Sequence, residues 1–250
     1  MTLAAIKTDL AEILKFRNLF LQENNFQIRY NAYHERGWTD SYIVTFNEEK
    51  IGYGAIKGNE NLGDRDTVFE FYILPPFRYL LPTAFLELLR SSGAVFIESQ
   101  SNHLVLTSLL YHYGQNINSD TILFEENTTT NLRIERVIFR KRLEEDSVFE
   151  HTAEPVGDYV LELDKEVVAT GGFLLHYNPP FADLYMEVNE EYRRKGLGSF
   201  LIQELKKQCY LSGRVPAARC SIDNVASKST LMKAGLRIAG FMLLGKVMKS

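Results

Sequence analysis

A run of basic residues and glycines in the second half of the chain, Arg193–Gly198 (RRKGLG), has the residue types and spacing that bind an anion. Gly196 and Gly198 carry no Cβ, so a phosphate can approach their backbone and successive N–H groups can point outward. A helix predicted to begin at Ser199 adds the positive end of its dipole, and three basic side chains add charge. The run therefore predicts a site for a pyrophosphate.

Two other phosphate-binding patterns do not fit this run. A Walker loop requires G-K-[ST], which does not occur in the sequence. The dinucleotide-binding pattern G-x-G-x-x-G needs a third glycine where position 201 is Leu. Because basic loops before helices are often only solvated, the run alone leaves that alternative open.

The residues around the run resemble the GNAT (Gcn5-related N-acetyltransferase) family. Residues 184–205, LYMEVNEEYRRKGLGSFLIQEL, look like its fourth strand, phosphate loop and third helix, with the signature [RQ]-x-x-G-x-[GA]. Residues 221–236, SIDNVASKSTLMKAGL, resemble its second signature, N-x-x-S-x-x-x-L-x-K-x-G-F, with Leu236 in place of Phe. The likeness extends over about Val167–Val247. The matching positions of the second signature are Asn224, Ser227, Leu231, Lys233 and Gly235.

The resemblance implies an N-acetyltransferase that uses acetyl-CoA as co-substrate and requires no metal. Proteins of this family lay acetyl-CoA between two splayed parallel strands, and the acceptor amine attacks the thioester directly. The backbone of Met186 to Val188 is then expected to pair with the pantetheine arm, and a backbone N–H near Val188 to stabilise the oxyanion. Asn224 is expected beside the pantetheine. The pyrophosphate is expected on the N–H groups of Arg193, Arg194, Lys195, Gly196, Leu197, Gly198 and Ser199.

An attacking amine must be neutral, so a general base is useful in such a site. Strand alternation places Asp183, Tyr185 and Glu187 on one face of the predicted strand. Glu187 is the first choice for the base and Asp183 is the second. The alternative is that Glu187 is only a satisfied or solvated strand carboxylate.

The general acid toward the CoA sulfur departs from the family pattern. Many members carry a Tyr in the last helix, and the corresponding position here is Leu231. Tyr185 is a substitute on the polar face of the strand. An acid is also dispensable, because a thiol with a pKa near ~8.5 can leave as the thiolate.

Periodicity predicts nearly the same order of elements in both halves of the chain. The first half is predicted as a helix over about 10–21 capped by Thr8 or Asp9, strands 41–46, 51–57 and 67–74, helix 83–90, strand 94–98, helix 103–113 closed by Gly114, and a hairpin of 121–126 with 133–141. The second half is predicted as strands 159–163, 167–175 and 184–188, helix 199–210, strand 217–222, helix 226–234 and strand 238–248.

Short matches at a shift of 115 residues support a repeat, for example Phe85-Leu86 with Phe200-Leu201. We therefore predict an α/β (α+β) protein of two GNAT-like units, each a mixed, mostly antiparallel sheet flanked by helices, with splayed central parallel strands. The alternative is two unrelated α/β segments. At this shift Gly196 corresponds to Leu81 and Gly198 to Thr83, so the first copy lacks the anion site.

The charged stretch Arg140–Asp146 sets the predicted boundary between the copies. Residues 1–143 are predicted to be a degenerate GNAT-like domain without a CoA site. Residues 144–250 are predicted to be the GNAT acetyltransferase domain that binds acetyl-CoA.

Composition limits the partners and the compartment. The net charge of −4 and the pI near 5.8 give no basic surface for nucleic acid. No apolar stretch approaches the ~18 residues that span a bilayer, and the start of the chain has no signal-peptide layout. Cys209 and Cys220 have no metal or redox spacing, so a reducing, cytoplasmic location is expected.

The sequence leaves the acceptor open between polyamines, amino acids, aminoglycosides and protein N-termini, that is, a small-molecule or peptide amine. A homodimer is left open, whereas nucleic-acid and membrane partners are not expected. The alternative function is a catalytically inactive acyl-CoA-binding or regulatory module, which Leu231 mildly favours. A purely structural role would leave Gly196 and Gly198 unexplained.

Overall fold

The computed structural model describes residues 2–24, 26–27 and 31–248. The chain forms two compact units, each with its own strands and helices. The first unit takes the chain up to Asp120 and again from Phe241, and the second takes Thr121–Gly240 together with Gln27. Among the described residues, no helix is long and apolar enough to cross a membrane.

Up to Glu126, the first half of the chain follows the predicted order of elements, apart from added elements and a correction at Gly114. The prediction lacks the first strand, because its sequence LAAIKT is short and contains two alanines, and it also lacks the short second helix. Gly114 does not close its helix in a left-handed turn but begins a strand with an extended backbone. In chain order the elements are β1 (Leu3–Thr8), α1 (Leu10–Glu23), α2 (Asn31–Glu35), β2 (Thr39–Phe46), β3 (Glu49–Lys57), β4 (Thr67–Ile73), a 3-10 helix (Pro75–Leu80), α3 (Leu81–Ser92), β5 (Phe96–Gln100), α4 (Leu104–Tyr113) and β6 (Gly114–Glu126).

The second half contains every predicted strand and helix, but the predicted hairpin of residues 121–126 with 133–141 is wrong. Residues 127–136 instead run across a helix, where the backbone N–H and C=O of Leu132 both bond to the side chain of Gln203, at 2.6 and 3.2 Å. The elements are β7 (Val137–Lys141), β8 (Tyr159–Leu163), β9 (Glu166–Leu174), β10 (Phe181–Val188), a 3-10 turn (Glu190–Tyr192), α5 (Leu197–Leu211), β11 (Val215–Ser221), α6 (Val225–Lys233) and β12 (Leu236–Val247).

The sheet of the first unit has the order β1-β2-β3-β4-β5-β12. Its β4 and β5 are parallel and pair only through Thr67 with Phe96 and Val68 with Ile97. On the other side, β5 pairs antiparallel with the last part of β12. The strands β4 and β5 therefore separate after a short pairing, as predicted for the central strands.

The sheet of the second unit has the order β6-β11-β10-β9-β8-β7. Here β10 and β11 are the parallel pair, and their pairing ends at Asp183 with Ala217. The pairs β6–β11, β9–β10, β8–β9 and β7–β8 of this sheet are antiparallel. This confirms a mixed, mostly antiparallel sheet with splayed central strands in each unit.

The two units differ in the segment that follows their edge strand, β1 in the first unit and β7 in the second. In the first unit, α1 and α2 lie between β1 and β2. In the second unit, residues 142–158 connect β7 to β8 and contain no helix. One face of the second sheet is thus reached by an irregular segment where the first has two helices.

The charged stretch that set the predicted boundary lies inside the second unit. Arg140 of β7 donates to Asp146 at 2.7 and 2.8 Å and to Glu162 of β8 at 2.9 Å. Because the last part of β6, from Thr121, also pairs in the second sheet, the two compact units divide at Thr121.

The position of α5 is fixed by apolar residues at helical spacing. Leu197, Leu201, Leu205 and Cys209 recur every four residues and are all buried. The Nζ of the buried Lys206 then donates to the backbone oxygen of Ala234 at 2.8 Å, which ties α5 to the end of α6. The first turn of α5 is held where β10 ends.

Candidate functional site

The predicted anion site is a tight loop between β10 and α5. Gly196 is the N-cap of α5, with a φ of 82° that favours glycine, and no side chain caps the helix. The first N–H groups of a helix have no partner within it, so they are directed at whatever lies before the helix. The backbone here has the construction that the sequence predicts for binding phosphate.

Gly198 allows the helix start to lie close to its neighbours. A Cβ at this position would be 3.1 Å from Cε of Met186 and 3.1 Å from Cγ2 of Thr230. The hydroxyl of Ser199 donates to the backbone oxygen of Thr230 at 3.2 Å. The loop is thus held between β10 and α6, and the contribution expected of Ser199 is its backbone N–H.

The basic side chains of the loop play different parts. Arg193 forms an ion pair with Glu190 at 2.8 Å and donates through Nε to the backbone oxygen of Val188 at 3.1 Å. Lys195 lies over the ring of Tyr192, with Nζ 4.7 Å from the centroid. Arg193 therefore braces the loop.

Two further cations can meet an anion at this loop. Arg194 is exposed and adopts a left-handed φ of 66°. Lys233, at the end of α6, brings its Nζ to 3.9 Å from the position of a Cβ on Gly196. Lys233 matches the second signature, and that match alone does not indicate a charge beside the loop.

The open edge of β10 faces the gap left by β11. The N–H of Asn189 bonds to the oxygen of Val168, so the backbone groups of Tyr185 and Glu187 face β9. By alternation those of Met186 and Val188 face the gap. This is the orientation that pairing with a pantetheine arm requires.

The second signature contributes caps and packing to this side of the unit. Asn224 is the N-cap of α6, and its Oδ1 accepts from the N–H of Ser227 at 2.9 Å. Leu231 is only 3% exposed, so the position of the family's usual Tyr is apolar and enclosed. Neither side chain supplies an acid.

Asp183 lies where β10 and β11 part, and its side chain is 7% exposed. The hydroxyl of Tyr177 donates to Oδ2 at 3.0 Å, and Nε of Arg219 lies 3.4 Å from the same atom. Among the described residues, Oδ1 has no hydrogen-bond partner. Burial raises the pKa of Asp183 to about 6 despite Arg219 and Tyr177, which lower it.

Glu187 is held by the segment 149–157, here called the strap. Its carboxylate accepts from the N–H groups of Thr152, Ala153 and Glu154 at 2.9 to 3.1 Å and from the Thr152 hydroxyl at 3.0 Å. Burial alone would raise the pKa of Glu187, but these hydrogen bonds lower it to about 2. A carboxylate with that pKa is a weak base, so the geometry favours an anchor over the predicted general base.

The strap is also fixed to β9. The hydroxyl of Thr170 accepts from the N–H of Gly157 at 3.1 Å and lies 3.2 Å from Nε2 of His151. A Cβ on Gly157 would be 2.1 Å from the backbone oxygen of Gly171, so glycine permits this close approach. The strap thus lies on the sheet face that carries Asp183 and Glu187.

Tyr185 lies on the same face of β10, between the two carboxylates. Burial raises the pKa of its phenol above the ordinary value of 10. The phenol is therefore protonated at neutral pH and has a proton to give.

The corresponding loop of the first unit lacks the anion-binding construction. When the N-caps of α3 and α5 are aligned, Leu80 lies opposite Gly196 and Pro82 lies opposite Gly198. This alignment differs by one residue from the shift of 115 residues found in the sequence. Both glycines are replaced, and proline has no N–H to donate. A phosphate would meet side chains here.

Aromatic rings of the first unit pack together in a buried cluster. Phe20 and Phe26 are fully buried, with ring centroids 5.0 Å apart. The ring of His103, which follows β5, lies 5.3 Å from Phe20 and 5.0 Å from Phe26.

A buried ion pair occupies the β4 face of the same unit. Glu70 accepts from Arg17 at 3.0 Å and from the hydroxyl of Tyr53 at 2.8 Å. Although burial acts to raise it, the pKa of Glu70 is well below its usual range, mainly because of Arg17 and His34. This carboxylate is fully engaged in packing the unit.

Comparison with known proteins gives one family and several similar folds. Residues 123–235 match the family described as Acetyltransferase (GNAT) family. A GNAT-family acetyltransferase from Colwellia psychrerythraea is similar over 99% of this chain and 100% of its own, with a TM-score of 0.76 and 13% identity. No curated protein matches the chain.

Two further solved structures span nearly the whole chain. A GCN5-related N-acetyltransferase from Sphaerobacter thermophilus has a TM-score of 0.59 and 12% identity over 99% of this chain and 96% of its own. A tandem GNAT protein from the clavulanic acid biosynthesis pathway has a TM-score of 0.59 and 11% identity over all of both chains. At these identities the likeness concerns the fold alone.

Four residues of the site lie outside the sequence prediction. Arg219 had an available signal, because it interrupts an apolar strand two residues after Ala217, the register partner of Asp183. Tyr177 and Glu154 come from irregular segments, where no periodicity indicates which way a side chain points. Lys233 was visible only as a signature match.

The anchoring of the strap can be tested by replacing its carboxylate. Glu187→Ala removes four hydrogen bonds to a charged acceptor, so the amides of 152–154 should exchange with solvent at least about tenfold faster. Hydrogen exchange followed by mass spectrometry measures this. Glu191→Ala, at an exposed carboxylate of the neighbouring turn, is the control. Unchanged exchange in Glu187→Ala would mean that other contacts hold the strap.

Proposed function

We propose that the chain, in which residues 123–235 match the acetyltransferase (GNAT) family, transfers an acetyl group from acetyl-CoA to a primary amine of a small molecule or peptide. One observation carries the proposal. The N-terminus of α5, with its glycines, follows the end of β10, after that strand has separated from its parallel neighbour β11. We also propose that the protein acts in the cytoplasm, consistent with two free, buried cysteines.

The residues of the second unit fit an acyl-CoA. The N–H groups of Gly196 to Ser199 would hold the pyrophosphate, with Arg194 and Lys233 as nearby cations. The backbone groups of Met186 and Val188, which face the gap, would pair with the amides of the pantetheine arm. Bound acyl-CoA supplies an activated thioester, whose carbon–sulfur bond breaks as the acceptor nitrogen forms the amide bond.

Asp183 is the proposed general base for the acceptor amine. An ammonium must lose a proton before its nitrogen can attack, and a carboxylate with a pKa of about 6 accepts it better than an ordinary Asp does. Tyr177 and Arg219 orient the carboxylate through Oδ2 and leave Oδ1 for the proton. The proton then passes to solvent.

Tyr185 is the proposed acid for the departing sulfur. The phenol is protonated at neutral pH and would donate to the sulfur as the carbon–sulfur bond breaks, after which solvent would return a proton to the phenolate. The second candidate function, an acyl-CoA-binding module without turnover, is favoured by Leu231, which fills the usual acid position with a buried apolar side chain. Release of CoA thiol in the presence of an amine panel separates the two functions.

The phosphate loop is tested by adding a negative charge to it. Gly198→Asp places a carboxylate beside the proposed pyrophosphate position, and we expect CoA binding measured by calorimetry to be abolished. An acidic residue in the first helical turn stabilises the helix itself, so the unit should remain folded.

Gly198→Ala is the matched control for that substitution. Its Cβ meets only the ends of the Met186 and Thr230 side chains, at 3.1 Å, which can shift. We expect CoA affinity to fall less than in Gly198→Asp. Unaltered CoA affinity in a folded Gly198→Asp protein would rule out this loop as the binding site.

The base is tested by the pH dependence of kcat/KM. Because only the ionised carboxylate accepts a proton, kcat/KM should rise with pH through about 6, the pKa of Asp183. Asp183→Asn should remove this limb and lower kcat/KM by about 10²–10⁴-fold.

Glu187→Gln serves as the comparison, because the pKa of Glu187, about 2, lies below the range in which the limb occurs. The limb near pH 6 should persist in this variant, even if looser anchoring of the strap changes KM. A limb that survives in Asp183→Asn but disappears in Glu187→Gln would return the base to Glu187.

A further inference from the structure

The strap brings a second carboxylate to the sheet face that carries Asp183. The N–H of Glu154 is one of the donors that Glu187 binds, at 2.9 Å, and its side chain is exposed. Among the described residues its carboxylate has no hydrogen-bond or ion-pair partner. Burial and Glu187 raise the pKa of Glu154, and only Arg219 acts against them. An accessible carboxylate is therefore held near another acid without a cation of its own.

Asp183 and Glu154 depend on the same guanidinium. Nε of Arg219 lies 3.4 Å from Asp183, and its guanidinium carbon lies 5.7 Å from the ring centroid of Tyr177. Arg219 thus faces two carboxylates, and Oδ1 of Asp183 is buried without a partner among the described residues. Arg142, the other guanidinium near Tyr185, donates to the backbone oxygen of Gly157 at 3.1 Å. The charge that would balance Glu154 is positive.

A cavity of about 310 Å³ opens beneath the strap, next to the phosphate loop. Four carboxylates and one guanidinium line this cavity. The guanidinium, of Arg193, is paired with Glu190. The lining residues are Phe149, Glu150, Thr152, Glu187, Val188, Asn189, Glu190, Glu191 and Arg193. Neither Asp183 nor Glu154 lines this cavity, so its acidic wall supports only the attraction of a cation toward the strap.

We propose that the acceptor carries at least two positive charges, with the reacting amine at Asp183 and a second ammonium paired with Glu154. The inference rests on the proposed function and adds a substrate class, a diamine or longer polyamine. An α-amino acid suits the site less well, because Arg219 is already engaged by Asp183. Glu154 is then a specificity-determining residue, and Glu187 positions it by anchoring the strap.

Two amines of equal length test the substrate class. 1,4-Diaminobutane and butylamine differ only in the second ammonium, and both are assayed with acetyl-CoA. Calorimetric binding to the complex with CoA is measured in parallel, so the result does not depend on turnover. We expect the diamine to be preferred at least about tenfold in kcat/KM and in affinity, as one charge-assisted contact provides.

Substitution of the recognising carboxylate should remove that preference. In Glu154→Gln the ratio of kcat/KM for the diamine to that for butylamine should fall to about one, with CoA affinity unchanged. Glu144→Gln, at an exposed carboxylate before the strap, should leave the preference intact.

The inference is overturned if the wild-type protein does not prefer the diamine, or if Glu154→Gln weakens both amines equally. Butylamine turnover and CoA binding would still support acetyl transfer in either case. Loss of CoA binding in the wild-type protein would instead contradict the proposed function itself.

Discussion

The candidate site depends on the early separation of two parallel strands. β10 and β11 pair from Phe181 to Asp183 and then diverge, so the backbone of Met186 and Val188 has no strand to pair with on that side. Backbone polar groups require partners, and a bound ligand with amide groups can supply them. The same divergence places Asp183 at the narrow end of the gap and the phosphate loop at the wide end. The proposed CoA site and the proposed base are thereby aligned along one strand.

The two units show how one element order can serve different purposes. In the second, glycines at the start of α5 leave the loop open to an anion, and an irregular strap takes the place of the two helices. In the first, α3 begins with Leu and Pro, and the pair Glu70–Arg17 is enclosed on the β4 face. We therefore propose that the first unit is a degenerate copy without a CoA site.

Local patterns predicted the elements but could not predict which distant residues meet. Helices and strands follow from periodicity, and the phosphate loop from its glycines, because both are local properties. The anchoring of Glu187 was not predicted, because its donors lie 33 to 35 residues earlier in the chain, in a segment without a pattern. The raised pKa of Asp183 follows from burial, which strand alternation does not reveal. The β6–β7 hairpin failed for the same reason, since β6 pairs with the much later β11.

The most direct test of this account is the stoichiometry of CoA binding to the full chain, measured by calorimetry. The account predicts one CoA per chain, bound by the second unit, and loss of that binding in Arg194→Glu, which reverses an exposed charge of the phosphate loop. Two CoA molecules per chain, or one that Arg194→Glu leaves in place, would contradict it.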